Sequence, residues 1–285
     1  MEYIQLGQTD LRASTIAYGT WQFGGDWGSF EAREAQAAIR RAYELGITLF
    51  DTAQAYGFGV SERVLGEALK PELMSQREKL IIATKGGLRM EGSMLLRDAS
   101  ASWLRQGVEQ SLRNLGVDYI DLYQVHWPDP KTPIEETASA LAQLAQEGKI
   151  RYVGVSNYDV EQLRAFERVR KIDTLQPPYH LFRRDIEQAI LPYCREHGIG
   201  VIVYGPLAHG LLAGGYTPQT SFASDDWRSK SPEFEGEPFV RNLAVVERLK
   251  EVAKQQGISV AQLAIAWVLA NPAVDVAIVG ARRPQ

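Results

Sequence analysis

Short runs of apolar and β-branched residues alternate along the chain with longer stretches whose apolar positions recur at i, i+3 and i+4. The short runs predict strands at residues 15–18, 48–50, 80–84, 120–124, 152–155, 174–176, 201–204 and 276–279. The longer stretches predict helices at 31–45, 61–69, 101–115, 134–146, 160–169 and 186–197, with two more, 240–256 and 260–269, between the seventh and eighth strands. Strand–helix alternation at this rhythm implies a parallel sheet, because parallel neighbours need crossover connections. Eight such strands suit a closed α/β barrel, the (β/α)8 TIM barrel. An open doubly wound sheet competes with it, but the Gly-x-Gly-x-x-Gly fingerprint of that fold is absent after the first strand.

Ahead of the barrel, residues 3–6 and 11–13 flank Gly7-Gln8-Thr9-Asp10, which reads as a β-hairpin placed to plug the lower end. The longest stretch without periodicity, 214–238, is rich in Ser, Pro, Gly and Asp and reads as a functional or disordered loop. No linker, repeat or low-complexity tract divides the chain, so residues 1–285 are expected to form one domain. Only Gly280 to Gln285 follow the eighth strand, where a complete barrel carries an eighth helix. The expectation is that this C-terminal helix is missing from the sequence, or that the barrel closes without it.

Composition narrows the function. A formal net charge of −4 gives no electrostatic footprint for nucleic acid or an anionic membrane. No basic-plus-apolar leader opens the chain, and no apolar run approaches a membrane span, so a cytoplasmic location is expected. The one cysteine, Cys194, permits no intramolecular disulfide and reads as a small buried residue on a helix.

Three consecutive predicted strands end in ionisable groups. The second runs into Asp51, with Tyr56 five residues on; the third runs into Lys85; the fourth runs into His126. In a barrel these converge at the carboxyl-end face, where such folds do their chemistry. A lysine entering an apolar barrel mouth must be paired or lose its charge, and Asp51 is the natural partner. The ammonium is expected to favour the phenolate of Tyr56 and lower that pKa from about 10 toward neutrality. Tyr56 then becomes a general acid, and His126 adds a second donor to the same oxygen. No metal-ligand spacing and no Ser or Cys nucleophile beside a base accompanies the cluster. What remains is proton donation to a carbonyl, with hydride from a cofactor.

These residues, with the segments LGITLFDTA (45–53), ATK (83–85), DYIDLYQVHWP (118–128), GKIRYVGVSN (148–157) and LGQTDL (6–11), resemble the aldo-keto reductase superfamily over essentially the whole chain. Within it the chain is similar to the bacterial general-stress-type branch and, more distantly, to potassium-channel β subunits. The resemblance implies an NADP(H)-dependent oxidoreductase with Asp51, Tyr56, Lys85 and His126 as its catalytic tetrad. It implies that Ser156, Asn157 and Gln176 hold the nicotinamide carboxamide and that Tyr204 stacks on the ring. Pro206, Leu207, Gly210, Leu211 and Leu212, in YGPLAHGLL, would line the pyrophosphate; Gly205 stands there where relatives carry Ser. Gly280 and Arg282, with Arg283, would hold the 2′-phosphate, and the paired arginines favour NADPH over NADH.

The family's adenine contacts would fall after Gln285. Gly19, Thr20 and Trp21 could approach the cofactor, Trp21 also as a substrate wall; Trp127 and Trp227 are further wall candidates. No metal is expected. The expected partner is a small carbonyl compound, whose identity would depend on residues 24–30, 90–96 and 214–238, and a monomer is slightly favoured. Three other readings stand beside a carbonyl reductase: a slowly turning-over regulatory or sensor subunit, a metal-assisted lyase on the same barrel, and an NAD-linked alcohol dehydrogenase.

Overall fold

Alternation along each strand builds this fold, because a pleated strand sends successive side chains to opposite faces. The computed structural model describes residues 1–285. An antiparallel hairpin, β1 (Tyr3–Gln5) and β2 (Arg12–Ser14), precedes β3 (Ile16–Gly19), β4 (Leu49–Asp51) and β5 (Ile81–Gly86). A second hairpin, β6 (Leu88–Glu91) and β7 (Met94–Arg97), stands apart from the barrel. The remaining strands are β8 (Ile120–Val125), β9 (Ile150–Ser156), β10 (Thr174–Gln176), β11 (Gly200–Val203) and β12 (Val276–Val279). All eight barrel strands are parallel, in the order β3-β4-β5-β8-β9-β10-β11-β12, and β12 closes on β3. They coincide with the eight strands expected from the sequence, within one or two residues at most ends.

The helices are α1 (Ala32–Glu44), α2 (Val60–Ala68), α3 (Lys70–Ser75), α4 (Ala101–Leu115), α5 (Ile134–Gln146), α6 (Val160–Glu167), α7 (Ile190–His197), α8 (Gly236–Gln255) and α9 (Val260–Leu269). Capping boxes at Asp159–Gln162 and Ser259–Gln262 start α6 and α9 by satisfying amides that have no intrahelical partner. Outward residues such as Phe50, Ile82, Tyr123, Val201 and Val203 bury against the helices. Inward residues Leu49, Ile81, Ala83, Leu122, Ile202, Val276 and Ile278 fill the barrel, and Leu6, Leu11 and Ala13 of the first hairpin close its floor. Continuing the same parity toward the carboxyl ends turns Asp51, Lys85, Gln124, Ser156, Gln176 and Tyr204 inward. The apolar plug thus ends in a polar layer.

Four details differ from the sequence expectation. The hairpin β6–β7 was not expected, because its strands are only four residues long and β7 carries three apolar residues in a row with no alternation. Helix α3 is too short to show a period, and Pro71 stands in its first turn. Helix α7 begins at Ile190, the preceding Asp185–Glu187 being a 3-10 turn. Part of the supposed loop is ordered: 3-10 turns form at Trp227–Lys230 and Pro232–Phe234, and α8 already starts at Gly236. The barrel closes through β12 with no helix after it in this sequence. Cys194 is buried on α7, and burial pushes its thiol up to about 12. No helix is long and apolar enough to cross a membrane.

Leu6 is fully buried at the floor, so Leu6→Ala leaves a cavity that barrel strands cannot collapse to fill. The expected loss is about 2–5 kcal/mol in urea unfolding. An unchanged unfolding midpoint would show that the hairpin does not support the barrel.

Candidate active site

An ion pair is buried inside the barrel. Register places Asp51 beside Ala83 on the adjacent strand, and Lys85 lies two residues further along the same inward face. Lys85 is 1% exposed and Asp51 3%. The Lys85 ammonium donates to Asp51 Oδ1 at 2.6 Å, to the Thr52 carbonyl at 2.9 Å and toward Tyr56 Oη at 3.5 Å, which uses all three of its donors. Asp51 Oδ2 accepts from Gln176 Nε2 at 2.8 Å and Gln124 Nε2 at 3.5 Å. A desolvated pair persists only when its remaining valences are met in this way.

Tyr56 lies above the pair on the turn after β4. Its ring is edge-on to His126 at 5.6 Å and near-parallel to Trp21 at 6.2 Å. The Lys85 ammonium lies 5.2 Å from the ring centroid. Burial, reinforced by the carboxylates of Asp51 and Asp26, holds the Tyr56 phenol well above 10. The expected shift toward neutrality is therefore reversed. Asp51 offsets the charge of Lys85, and burial disfavours the phenolate. Burial lowers the Lys85 ammonium, opposed by Asp51. His126 is held well below 6.5 by burial and by Lys85, so its imidazole is neutral, and its Nδ1 has no hydrogen-bond partner.

Tyr56 and His126 open into a cavity of about 780 Å³ at the carboxyl ends of the strands. Gly19, Thr20, Trp21, Asp51 and Trp127 line it, as do Ser156, Asn157, Gln176 and Tyr204. So do Gly205, Pro206, Leu207, Gly210, Gly280 and Arg282. Asn157 caps β9 with a left-handed φ of 63°, held by donation from its amide to the His126 carbonyl (3.1 Å) and Ser156 Oγ (3.0 Å) and by acceptance from Tyr204 Oη (2.9 Å). Three of the four non-glycine residues with positive φ, Phe58, Asn157 and His209, face this cavity. Such strain persists only where surrounding structure enforces it and concentrates at functional sites.

Two loops meet over the mouth. The Trp227 amide donates to the Asp26 carbonyl at 3.0 Å, and Trp21 stacks on Trp227 at 5.7 Å. Arg228 pairs with Asp226 at 2.5 Å and lies 4.4 Å from the Trp27 ring. Arg282 Nη2 donates to the carbonyls of Trp27 and Ser29, both at 3.0 Å, with the Gly28 carbonyl 3.4 Å away.

Some expected residues sit elsewhere. Trp227 packs behind Trp21 and does not itself line the cavity. Leu211 and Leu212 are buried in an apolar cluster with Phe239 and Leu243 of α8, because the left-handed turn at His209 and Gly210 rotates them away. Arg283 is exposed and does not reach the cavity. Lys85 lies beneath the cavity. Sequence reasoning missed Gln124, which the parity of β8 places in the polar layer, as well as Trp27 and His209. Residues 90–96, expected to bear on the substrate, belong to the unexpected hairpin β6–β7, which contributes Leu88, Met90 and Leu95 to the wall.

The sequence profile described as the Aldo/keto reductase family matches residues 15–285. The aldo-keto reductase YhdN of Bacillus subtilis is 44% identical over 286 residues, spanning 100% of this chain and 86% of that protein. An Escherichia coli protein named NADH-specific methylglyoxal reductase is 35% identical over 305 residues, spanning 100% of this chain and 91% of its own. The solved structure of a glycerol dehydrogenase from Gluconobacter oxydans superposes with a TM-score of 0.90 at 42% identity, over 99% of this chain and 86% of that one.

Three histidines, His126, His180 and His209, are held neutral by burial, the last two down at about 4. The unfolded chain takes up protons at these positions below about pH 6.5 while the folded one does not, so stability is full above that pH and falls as pH drops toward 4. The maximal slope is about 4 kcal/mol per pH unit, one third of it from each histidine. His209→Asn keeps a residue tolerant of left-handed φ and should remove about a third of the slope in urea titrations. A pH-independent midpoint between 6.5 and 4.5 would contradict neutral burial.

Proposed function

Because the chain belongs to the aldo/keto reductase family, we propose that it reduces aldehydes and ketones to alcohols with NADPH, the Tyr56 phenol supplying the proton. As a family member it is an oxidoreductase acting on carbonyl groups. The observation that carries the finer reading is one position: Tyr56 Oη, 3.5 Å from a buried ammonium and beside a neutral imidazole, at the base of a single cavity.

The raised phenol pKa keeps Tyr56 protonated across the physiological range, so the proton is in place before the carbonyl arrives. The carbonyl oxygen gains negative charge as a hydride adds to its carbon, and a developing alkoxide is far more basic than a phenolate. The phenolic proton then moves to that oxygen, leaving a C–H and an O–H where the C=O stood and a phenolate at Tyr56. Lys85 is 3.5 Å from that phenolate and stabilises it until solvent restores the proton. Asp51, Gln176 and Gln124 hold Lys85 and so act as positioning residues. A neutral His126 offers the carbonyl oxygen a hydrogen bond without competing for the proton.

A nicotinamide, when bound, supplies the hydride. The residues along β9 to β12 fit such a dinucleotide. Ser156, Asn157 and Gln176 present amide and hydroxyl groups beside the reacting centre, and Tyr204 presents a ring. The backbone from Gly205 to Gly210 takes positive φ at 205, 208, 209 and 210, a concave arrangement of amides suited to a pyrophosphate. A Cβ at Gly280 would lie 2.7 Å from Gln22 Oε1, so a larger residue there would displace that amide. Arg282 supplies a guanidinium at the far end and, in this reading, exchanges its loop carbonyls for the 2′-phosphate. One relative is named as NADH-specific, so this contact is the point on which the cofactor choice turns.

Tyr56→Phe should lower the single-turnover rate by about 10²–10⁴-fold while the NADPH dissociation constant stays within about twofold. Native turnover in that variant would remove Tyr56 from the donor role. Arg282→Ala should weaken NADPH binding by about 1–3 kcal/mol, with NADH binding nearly unchanged. Equal loss for both cofactors would reject the 2′-phosphate contact.

A further inference from the structure

The hairpin β6–β7 supplies a feature that reduction alone does not require. Its register pairs Leu88 with Arg97, Arg89 with Leu96, Met90 with Leu95 and Glu91 with Met94. Paired residues share a face, so Leu88, Met90, Leu95 and Arg97 stand on one side and Arg89, Glu91, Met94 and Leu96 on the other. Leu88, Met90 and Leu95 all line the same cavity as Tyr56 and His126. Met90 and Leu95 are nevertheless 43% and 56% exposed, apolar surface left open to water within a cavity.

The hairpin is held in this orientation. Arg97 lies 5.1 Å from the Trp127 ring and donates to the Pro128 carbonyl at 3.2 Å, while Arg89 on the far face pairs with Asp98 at 3.0 Å. Its root is fixed by donation from Trp103 Nε1 to the Leu88 carbonyl at 3.1 Å. The two guanidiniums that line the cavity belong to other sectors. Arg282 follows β12, three strands round the barrel from β5, which the hairpin follows, and Arg228 is committed to Asp226. A substituent reaching Met90 and Leu95 would meet apolar side chains, because Arg97 on the same face is turned to the Trp127 ring and the Pro128 carbonyl.

We propose that the Met90–Leu95 pair is a specificity-determining clamp for the alkyl tail of an aldehyde, which makes an unbranched aliphatic aldehyde of several carbons the preferred substrate class. This rests on the carbonyl-reductase reading above. The tail runs outward from Tyr56 and His126 along Leu88 to Met90 and Leu95, and water leaves both surfaces. A methionine at that position suits tails of differing length, because its unbranched chain repacks at little cost.

Steady-state kcat/KM with NADPH for propanal, butanal, pentanal, hexanal and heptanal measures this directly. Each methylene buried against the clamp should raise kcat/KM about threefold to fourfold, mostly through KM, for the carbons that reach it. In Met90→Ser/Leu95→Ser the gain per methylene should fall to about 1.5-fold or less. Met94→Ser, on the outer face and 60% exposed, should retain the full gradient. NADPH quenching of tryptophan fluorescence in each variant checks that the fold and cofactor site are intact. Reduction of all five aldehydes with a flat profile, or the same gradient in the double variant, would overturn the clamp while leaving the reductase reading standing. Absence of reduction with any aldehyde would overturn both.

Discussion

A lysine and an aspartate buried together inside a barrel of parallel strands are the constraint on which this molecule turns. Each charge is too costly to bury alone, so Lys85 and Asp51 are tied to one another and to Thr52, Gln176 and Gln124. That network draws on the ends of β4, β5, β8 and β10, and strand parity dictates that these side chains meet. Below it the interior is apolar and closed by the hairpin plug; above it the cavity opens. The site is the place where the filling of the barrel changes from carbon to charge.

The electrostatics of that boundary assign the roles above it. Burial and the Asp51 carboxylate keep the Tyr56 phenol protonated, so in the proposed reaction the ammonium of Lys85 acts on the phenolate left after transfer. His126, half-buried and crowded by the charge of Lys85, stays neutral. The backbone around the cavity carries the strain that such a surface needs, with left-handed residues at Phe58, Asn157 and His209. On the proposed function, the cofactor would take the loops after β9 to β12, and the substrate the sector of the hairpin and Trp127.

Much of this was legible in the sequence. The strands announced themselves because their apolar runs are bounded by turns, and the convergence of Asp51, Lys85 and His126 follows from barrel geometry once three adjacent strands are recognised. Gln124 was not legible, because a glutamine inside an apolar strand shows its direction only when the register is known. The hairpin β6–β7 escaped because its strands are only four residues long and the run Met94-Leu95-Leu96 breaks the two-residue alternation. The sign of the Tyr56 shift escaped for a different reason. It depends on the balance between Lys85, Asp51 and desolvation, and that balance is a matter of distance and burial that no spacing encodes. Leu211 and Leu212 were misplaced because the left-handed turn before them is invisible in their own residue types.

The central claim is that this barrel mouth pairs direct hydride delivery to carbon with a protein-borne proton to oxygen. The most direct test follows the hydride. The protein would be mixed in stoichiometric amount with hexanal and NADPH deuterated at the transferable C4 position, and the alcohol analysed by NMR. The account predicts deuterium on the carbinol carbon and none lost to water. An unlabelled alcohol, or label washed into solvent, would contradict it.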